Sequence, residues 1–494
     1  MKKIELFKGG IDHVKSRYVF KSTFRHITGR QIKLLPFKTN PAGDSLGDDF
    51  KSFQGITGEI FRLSNGKAQI EFEDSKDSFK VNLKENILNS AIGNVETDYT
   101  EQLKNILTQL FFDEDNSLVK FHIKTLPYMN FITSGKSLNA VKEISTFISD
   151  IFLKDIEREA NLNVDTEAEN ILSQLIIDNF PDLPNVNSKP ASSIEEGYEN
   201  FFPEIKEQFN DDFTFLSSNR SLFLKHVEDF FKYYYFHYLN QLVINLNDFG
   251  RNEKRIRPIY FTMDWETLSE SRLRNHSLGW KELNKYSSNL FYHANTLELL
   301  NYIYIDGSTI KNYNDLVTIY DELTEENKKE LREYIIEISS FYKESIPLTS
   351  GSWEECENKL NIELSAKMFT SQISKNIFTL YFLIKYQFDN TQREHADQKY
   401  AQWYLQFGKL NYTKNRGRLG NTTVLSQELL LFLTKLCIGK QDKIRLKTLW
   451  EKLSERGIAF DEMSKLEIIK LFEKINLIEK KSDSGDAQYV KSTI

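Results

Sequence analysis

The C-terminal stretch from Thr422 to Ile494 reads TTVLSQELLLFLTKLCIGKQDKIRLKTLWEKLSERGIAFDEMSKLEIIKLFEKINLIEKKSDSGDAQYVKSTI. Apolar residues recur in it at three- and four-residue steps over three successive segments, which predicts three helices with one buried stripe each. The stripes are Leu425, Leu429, Phe432, Leu433 and Leu436, then Leu446, Leu449, Trp450 and Leu453, then Leu466, Ile469, Phe472 and Ile475. Gly457 suits the end of the second helix, and Asp461 suits the cap of the third.

After the third helix the apolar period changes to that of strands. Leu477 to Lys480 and Ala487 to Val490 predict two short strands, and the turn residues Asp483 to Asp486 lie between them. Three helices followed by a hairpin are the order of a winged helix-turn-helix domain, which we predict for residues 422–494. The third helix of such a domain commonly enters the DNA major groove.

The same region carries a local excess of positive charge. From Lys409 to Lys447 there are nine basic residues and two acidic ones, Glu428 and Asp442. Such a segment can hold a phosphate backbone. The predicted DNA-binding residues are Lys409, Lys414, Arg416, Arg418, Lys440, Lys443, Arg445 and Lys447. Acidic residues in the third helix and in the hairpin, which is the wing of such a domain, oppose close DNA contact. The alternative is that the domain packs against a partner protein or another part of this chain.

Composition indicates a cytoplasmic protein with several domains. A chain of 494 residues is longer than a domain with a single hydrophobic core usually is. The cysteines Cys356 and Cys437 are too few for a disulfide framework or a cysteine-based zinc site. The first ten residues lack the apolar core of a signal peptide, and no apolar run is long enough to span a membrane. The net charge of −7 implies that any DNA contact is local or shared with partners.

The whole chain reads as mainly α. Apolar and polar residues alternate in Thr57 to Leu63 and in Ala68 to Phe72, which predicts a hairpin near the N-terminus. Three prolines between residues 181 and 197 indicate a linker. The predicted segments are a small mixed α/β region at 1–120, a helical segment at 121–180, a linker or exposed loop at 181–198, a helical domain at 199–408, a basic connector at 409–421 and the winged-helix domain at 422–494.

No segment completes a catalytic, cofactor or metal motif. Asp264 and Glu266 would face the same side of a strand and could share a metal, but capping the next helix and pairing with nearby arginines is the favoured interpretation. The aromatic run Tyr233 to Tyr238 would surround a helix axis, because neighbouring helical residues point about 100° apart. We therefore predict a buried helix there, with His237 as a core histidine.

Several segments resemble the DptG family, a component of the bacterial restriction system that depends on DNA phosphorothioation. They are LNYTKNRGRLGNTT at Leu410 to Thr423, ERGIAFD at Glu455 to Asp461, SDSGDAQYV at Ser482 to Val490, PIYFTMDWETLSESRLRNHSLGW at Pro258 to Trp280 and LFYHANTLELL at Leu290 to Leu300. The resemblance extends over the chain from about residue 30 onward. It implies action in the cytoplasm with two larger ATPase-type partners, DptF and DptH, against DNA that lacks the host's sulfur modification. The family brings no established catalytic residues.

We therefore expect a non-catalytic assembly and DNA-docking subunit of a bacterial antiviral defence complex that restricts DNA lacking phosphorothioate modification. Its expected partners are DptF-like and DptH-like restriction subunits and double-stranded DNA, without a membrane. One alternative is a protein-interaction scaffold with no direct DNA contact. The other is a metal-dependent nuclease with an unidentified site.

Overall fold

The computed structural model describes most of the chain in stretches separated by gaps. The described residues are 10–20, 23–24, 26, 33–38, 47–70, 76–93, 95, 98–129, 131, 135–154, 168, 170–186, 197–250, 256–267, 277–301, 312–369, 371–391, 395–480 and 488–492. They are mainly helical with a few small sheets, so the prediction of a mainly α protein is confirmed.

Most of the described residues lie in α-helices. In order they are α1 (Gly10–Tyr18), α2 (Gly47–Ser52), α3 (Gln54–Ser64), α4 (Lys76–Gly93), α5 (Thr100–Phe111), α6 (Gly135–Ile148), α7 (Ile171–Asp178), α8 (Pro203–Ser217), α9 (Arg220–Leu246), α10 (Trp280–Ser287), α11 (Leu290–Asn301), α12 (Tyr313–Glu322), α13 (Glu325–Ser345), α14 (Trp353–Ala366), α15 (Gln372–Asp389), α16 (Ala396–Tyr412), α17 (Gln427–Ile438), α18 (Leu446–Glu455) and α19 (Glu462–Lys474). Short 3-10 helices occupy Ile123–Tyr128 and Gly417–Leu419, and a π-helical turn occupies Ser149–Leu153.

The strands are short and lie mostly in the second half of the chain. They are β1 (Val19–Phe20), β2 (Thr23–Phe24), β3 (Ile259–Tyr260), β4 (Thr262–Met263), β5 (Thr413–Asn415), β6 (Asn421–Leu425), β7 (Lys443–Arg445), β8 (Ile458–Ala459), β9 (Ile478–Lys480) and β10 (Gln488–Lys491). They pair as β1 with β2, as β3 parallel to β8, and in the three-stranded orders β4-β6-β5 and β7-β10-β9.

The chain forms two compact units, each built from three stretches. Unit 1 consists of Met1–Pro41, His237–Leu425 and Trp450–Leu471. Unit 2 consists of Ala42–Phe236, Ser426–Leu449 and Phe472–Ile494. Each unit thus joins stretches that are distant in sequence, and the segment bounds read from the sequence stay a prediction.

The predicted N-terminal hairpin is wrong, because Thr57 to Leu63 belong to helix α3. Every residue from Gly55 to Arg62 is buried, so no polar face marks the helical period in the sequence. The following strand candidate contains no described strand: residues 68–70 are irregular, and Ala68 donates its backbone N–H to Pro184 O at 2.7 Å. Within the predicted linker, residues 187–196 lie outside the described part of the chain.

The core of each unit is rich in aromatic side chains. In unit 2, Phe209 stacks on Phe152 with ring centroids 4.6 Å apart and packs edge-on against Tyr234. In unit 1, Phe249 contacts the rings of His293 and Tyr381. The large number of phenylalanines and tyrosines in the sequence is therefore used to fill the interior.

The aromatic run from Tyr233 to Tyr238 lies within α9, and all six side chains are buried. The prediction of a buried helix is confirmed. Burial and, second, the positive charge of Arg456 lower the pKa of His237 to about 3. His237 is therefore a neutral core histidine at physiological pH, as predicted.

Candidate nucleic-acid interface

A three-stranded antiparallel sheet joins the C-terminal hairpin to a strand that precedes α18. Strand β10 lies in the centre, with Val490 opposite Ile444 of β7 on one side and opposite Ile478 of β9 on the other. The sequence predicted the hairpin but not β7, because a three-residue strand with the single apolar Ile444 has no readable period. The predicted turn at Asp483 to Asp486 lies outside the described residues.

The two faces of this sheet differ in chemistry. Ile444 and Val490 are buried and form a cross-strand pair, so they define the inner face. Successive strand residues point to opposite faces, and the outer face therefore carries the neighbours of this pair. We call these neighbours the basic sheet face: Lys443, Arg445, Tyr489 and Lys491.

The basic sheet face holds three cations and one nearby carboxylate. Lys443 Nζ pairs with Glu479 Oε2 at 2.8 Å and lies 5.5 Å from the centre of the Tyr489 ring. Arg445 is exposed and Lys491 is half-buried, and neither forms an ion pair with any residue that the structure describes. Two positive charges of this face are therefore available to an outside anion.

Two further lysines flank strand β7. Lys440 precedes it, and Lys447 lies in the first turn of α18. Both are exposed, and neither pairs with a carboxylate in the described part of the chain. The start of a helix favours anions because its backbone N–H groups point outward, so Lys447 adds charge where a phosphate is already favoured.

Sequence reasoning missed Tyr489 and Lys491. Both lie beyond the basic segment that ends at Lys447, so a count of charge along the chain does not include them. Their alternate positions in β10 place them on one face, but only the pairing with β7 brings that face beside Arg445. A sequence does not show which distant strands pair, so it does not place Lys491 beside Arg445.

The other four predicted DNA-binding residues belong to unit 1, and two of them bind the chain itself. Lys414 Nζ donates to Asp264 O at 2.6 Å. The guanidinium of Arg416 donates to Glu266 O at 2.6 Å and to Met263 O at 2.9 Å. These cations satisfy carbonyl groups in the turn after β4, which is a structural role. Lys409 and Arg418 are exposed.

The third helix of the C-terminal region, α19, begins as predicted. Asp461 Oδ1 accepts the backbone N–H of Ser464 at 2.8 Å, so the predicted cap is confirmed. The predicted buried stripe is partly wrong, because Leu466 is 50% and Ile475 is 36% exposed, whereas Ile468 and Phe472 are fully buried. Apolar residues occupy more than one side of this helix, and only packing selects the inner side.

The exposed surface of α19 carries little free positive charge. Lys465 pairs with Glu462 at 2.8 Å, and Lys470 pairs with Glu467 at 2.7 Å. The carboxylates neutralise the lysines and would repel phosphates at short range. The helix is therefore poorly suited to entering a DNA groove.

Asp264 and Glu266 do not form the strand pair that a shared metal would need, because β4 ends at Met263. Glu266 is buried, and its carboxylate accepts hydrogen bonds from Met263 N at 3.2 Å and Ser464 Oγ at 3.0 Å. This carboxylate holds the turn instead of facing solvent. Among the described residues, no group of three His, Cys, Asp or Glu side chains could hold a metal ion.

Neither the protein-family models nor the curated proteins include a match to this chain. Within the part of the chain that the structure describes, none of the helices combines the length and the apolar character needed to cross a bilayer.

Proposed function

We propose that this chain is a non-catalytic assembly and DNA-docking subunit of a bacterial defence complex that restricts DNA lacking phosphorothioate modification. The observation that carries the DNA-docking part is the basic sheet face of β7 and β10. The restriction context rests on the resemblance of several sequence segments to the DptG family. In that context ATP hydrolysis and cleavage belong to the DptF-like and DptH-like partners.

A winged-helix fold for the C-terminal region is part of the proposal. Helices α17, α18 and α19 are followed by the hairpin of β9 and β10, and β7 between the first two helices joins the hairpin in the order β7-β10-β9. The order of three helices and a hairpin along the chain, together with the pairing of β7 with that hairpin, supports the fold. The proposed DNA contact, however, uses the sheet and its flanks in unit 2 and does not use α19.

The chemistry of the basic sheet face favours contact with phosphates over contact with bases. Arg445 offers several N–H donors in a planar fork that matches phosphate oxygens, and Lys491 adds a point charge. Phosphate contacts position a duplex without reading its sequence. The charge of −7 on the whole chain restricts such binding to this local surface.

The test is DNA binding by the full-length chain across a salt series. We expect the double variant Arg445→Gln/Lys491→Gln to bind unmodified duplex DNA at least about tenfold more weakly at low salt, because two phosphate contacts are lost. Each lost contact should also reduce the slope of log affinity against log salt by about one. Fluorescence anisotropy with a labelled duplex measures both quantities.

The matched control is Lys281→Gln/Lys375→Gln, which removes the same charge from exposed positions on α10 and α15. Its affinity and salt slope should equal those of the unchanged chain. Equal effects of the two double variants would mean that only net charge matters, and an unchanged affinity in the Arg445/Lys491 variant would refute the proposed interface.

A protein-interaction scaffold is the second candidate, and the surface of α19 favours it. Met463 is 55% and Leu466 is 50% exposed, three residues apart on one side of the helix. Exposed apolar residues beside paired charges are typical of a protein contact and unusual for a DNA contact.

We expect Met463→Glu/Leu466→Glu to release a DptF-like or DptH-like partner from the complex in co-purification, because the apolar contact would be replaced by charge. The same variant should bind DNA as the unchanged chain does. Retention of the partner would remove α19 as its docking surface, and Lys465→Gln/Lys470→Gln on the same helix is the control for a general surface change.

A further inference from the structure

A pocket of about 580 Å³ lies between the N-terminal part of α9 and helix α17. Lys225, His226 and Asp229 line it from α9, and Phe432 and Lys435 line it from α17. The His226 and Phe432 rings stack with centroids 4.4 Å apart and planes 11° from parallel, which joins the two helices at the pocket wall. All the lining residues belong to unit 2.

The two lysines of the pocket, Lys225 and Lys435, come from different helices. Neither Lys225 nor Lys435 forms an ion pair with a carboxylate of the described residues. Burial and, second, repulsion from Lys225 lower the pKa of Lys435. An anion placed between the two ammonium groups would relieve this repulsion and supply the missing hydrogen-bond acceptors.

The two carboxylates that line the pocket, Asp229 and Glu428, cancel this charge only in part. Asp229 lies 3.4 Å from Lys232 Nζ and 3.9 Å from His226 Nδ1, so its charge is compensated within α9. Burial opposes its ionisation, but the neighbouring His226 imidazole and the charge of Lys232 outweigh burial and lower the pKa of Asp229. Glu428 is exposed in the first turn of α17, where the helix N-terminus favours a negative charge.

We propose that this pocket binds a phosphate monoester, with the phosphate group between Lys225 and Lys435. Its volume falls in the range of roughly 300 to 1,000 Å³ that is usual for small-molecule sites, so it has room for a group of nucleotide size beside the phosphate. The site shares no residue with the basic sheet face and goes beyond the proposed docking of duplex DNA. A phosphate monoester is carried both by a free mononucleotide and by the 5′ end of a DNA strand.

The experiment is isothermal titration of the full chain with four probes: inorganic phosphate, 5′-AMP, and a short single-stranded oligonucleotide with either a 5′-phosphate or a 5′-hydroxyl. We expect binding of at least one phosphate monoester and a loss of tenfold or more in Lys225→Gln/Lys435→Gln. Lys225→Arg/Lys435→Arg should retain the binding, because it keeps both charges. Glu428→Gln should strengthen the binding, since it removes the exposed negative charge at the pocket.

The control is Lys51→Gln/Lys154→Gln, which removes two exposed lysines of unit 2 that belong neither to the pocket nor to the candidate nucleic-acid interface. Binding of 5′-AMP that depends on the two lysines supports a free ligand, and a preference for the 5′-phosphorylated strand supports recognition of a DNA end. Absence of binding at millimolar concentrations, or binding that survives Lys225→Gln/Lys435→Gln, overturns the proposal. Duplex binding through Arg445 and Lys491 is measured separately, so the two proposals fail independently.

Discussion

Replacing Arg62 by Met is expected to destabilise unit 2 by about 3–5 kcal/mol, because it leaves a buried carboxylate without its counter-charge. Arg62 Nε pairs with Glu59 Oε2 at 2.7 Å, and both side chains are almost fully buried. The guanidinium also donates to Pro127 O at 2.8 Å and lies 4.9 Å from the centre of the Phe131 ring. Urea unfolding followed by circular dichroism, with hydrogen exchange of the α3 amides, measures the loss.

The double variant Arg62→Met/Glu59→Leu is the control for this interpretation. Removing both charges avoids the buried carboxylate, and apolar replacements of a buried pair are often neutral or stabilising. Most of the lost stability should therefore return, apart from about 1 kcal/mol for the hydrogen bond to Pro127. A double variant as unstable as the single one would show that packing around Arg62, and not its charge, is what stabilises α3.

Replacing Gly457 by Ala is expected to destabilise unit 1 by about 2–5 kcal/mol, for two separate reasons. The backbone of Gly457 has φ +77°, which costs an L-residue roughly 1–2 kcal/mol. A methyl group there would also overlap Cε1 and Nδ1 of the buried His237 and approach Gln241 Nε2 to 3.3 Å. Overpacking of a core costs roughly 1–3 kcal/mol. Thermal unfolding of the full chain measures the sum.

Gly66→Ala separates the two contributions to this loss. Gly66 has φ +64°, but a methyl group added there would have no neighbour within 4 Å. Gly66→Ala should therefore lower the free energy of unfolding only by the backbone contribution. If Gly457→Ala costs no more than Gly66→Ala, the clash with His237 is relieved by local movement. The backbone of Gly457 also accepts the N–H of Ile259 at 3.0 Å, so such movement would disturb the pairing of β3 with β8.

The sequence by itself determined the features that depend on near neighbours along the chain. Apolar residues three and four positions apart indicate the helices α17 and α18. The cap of α19 is a hydrogen bond between Asp461 and the backbone N–H three residues later. Gly457 takes the positive φ expected at a helix end. These interactions are short in sequence, so residue type and spacing suffice to predict them.

The tertiary structure decided the features that depend on distant partners. Helix α3 is buried all round, which removes the polar face that would distinguish it from a strand. Arg416 looks like a phosphate ligand in the sequence, but its guanidinium binds carbonyl groups about 150 residues earlier in the chain. Only folding reveals that a basic residue already has a partner.

The candidate sites show the same division. Lys440, Lys443, Arg445 and Lys447 could be selected from a local excess of charge, whereas Lys491 joins Arg445 only through the register of β10 with β7. Lys225 and Lys435 lie far apart in sequence and line one pocket because α9 packs beside α17. The sequence sets which charges are present and which helices form. The packing of remote segments sets which of those charges lie close together, because the interaction of two charges depends on the distance between them in space.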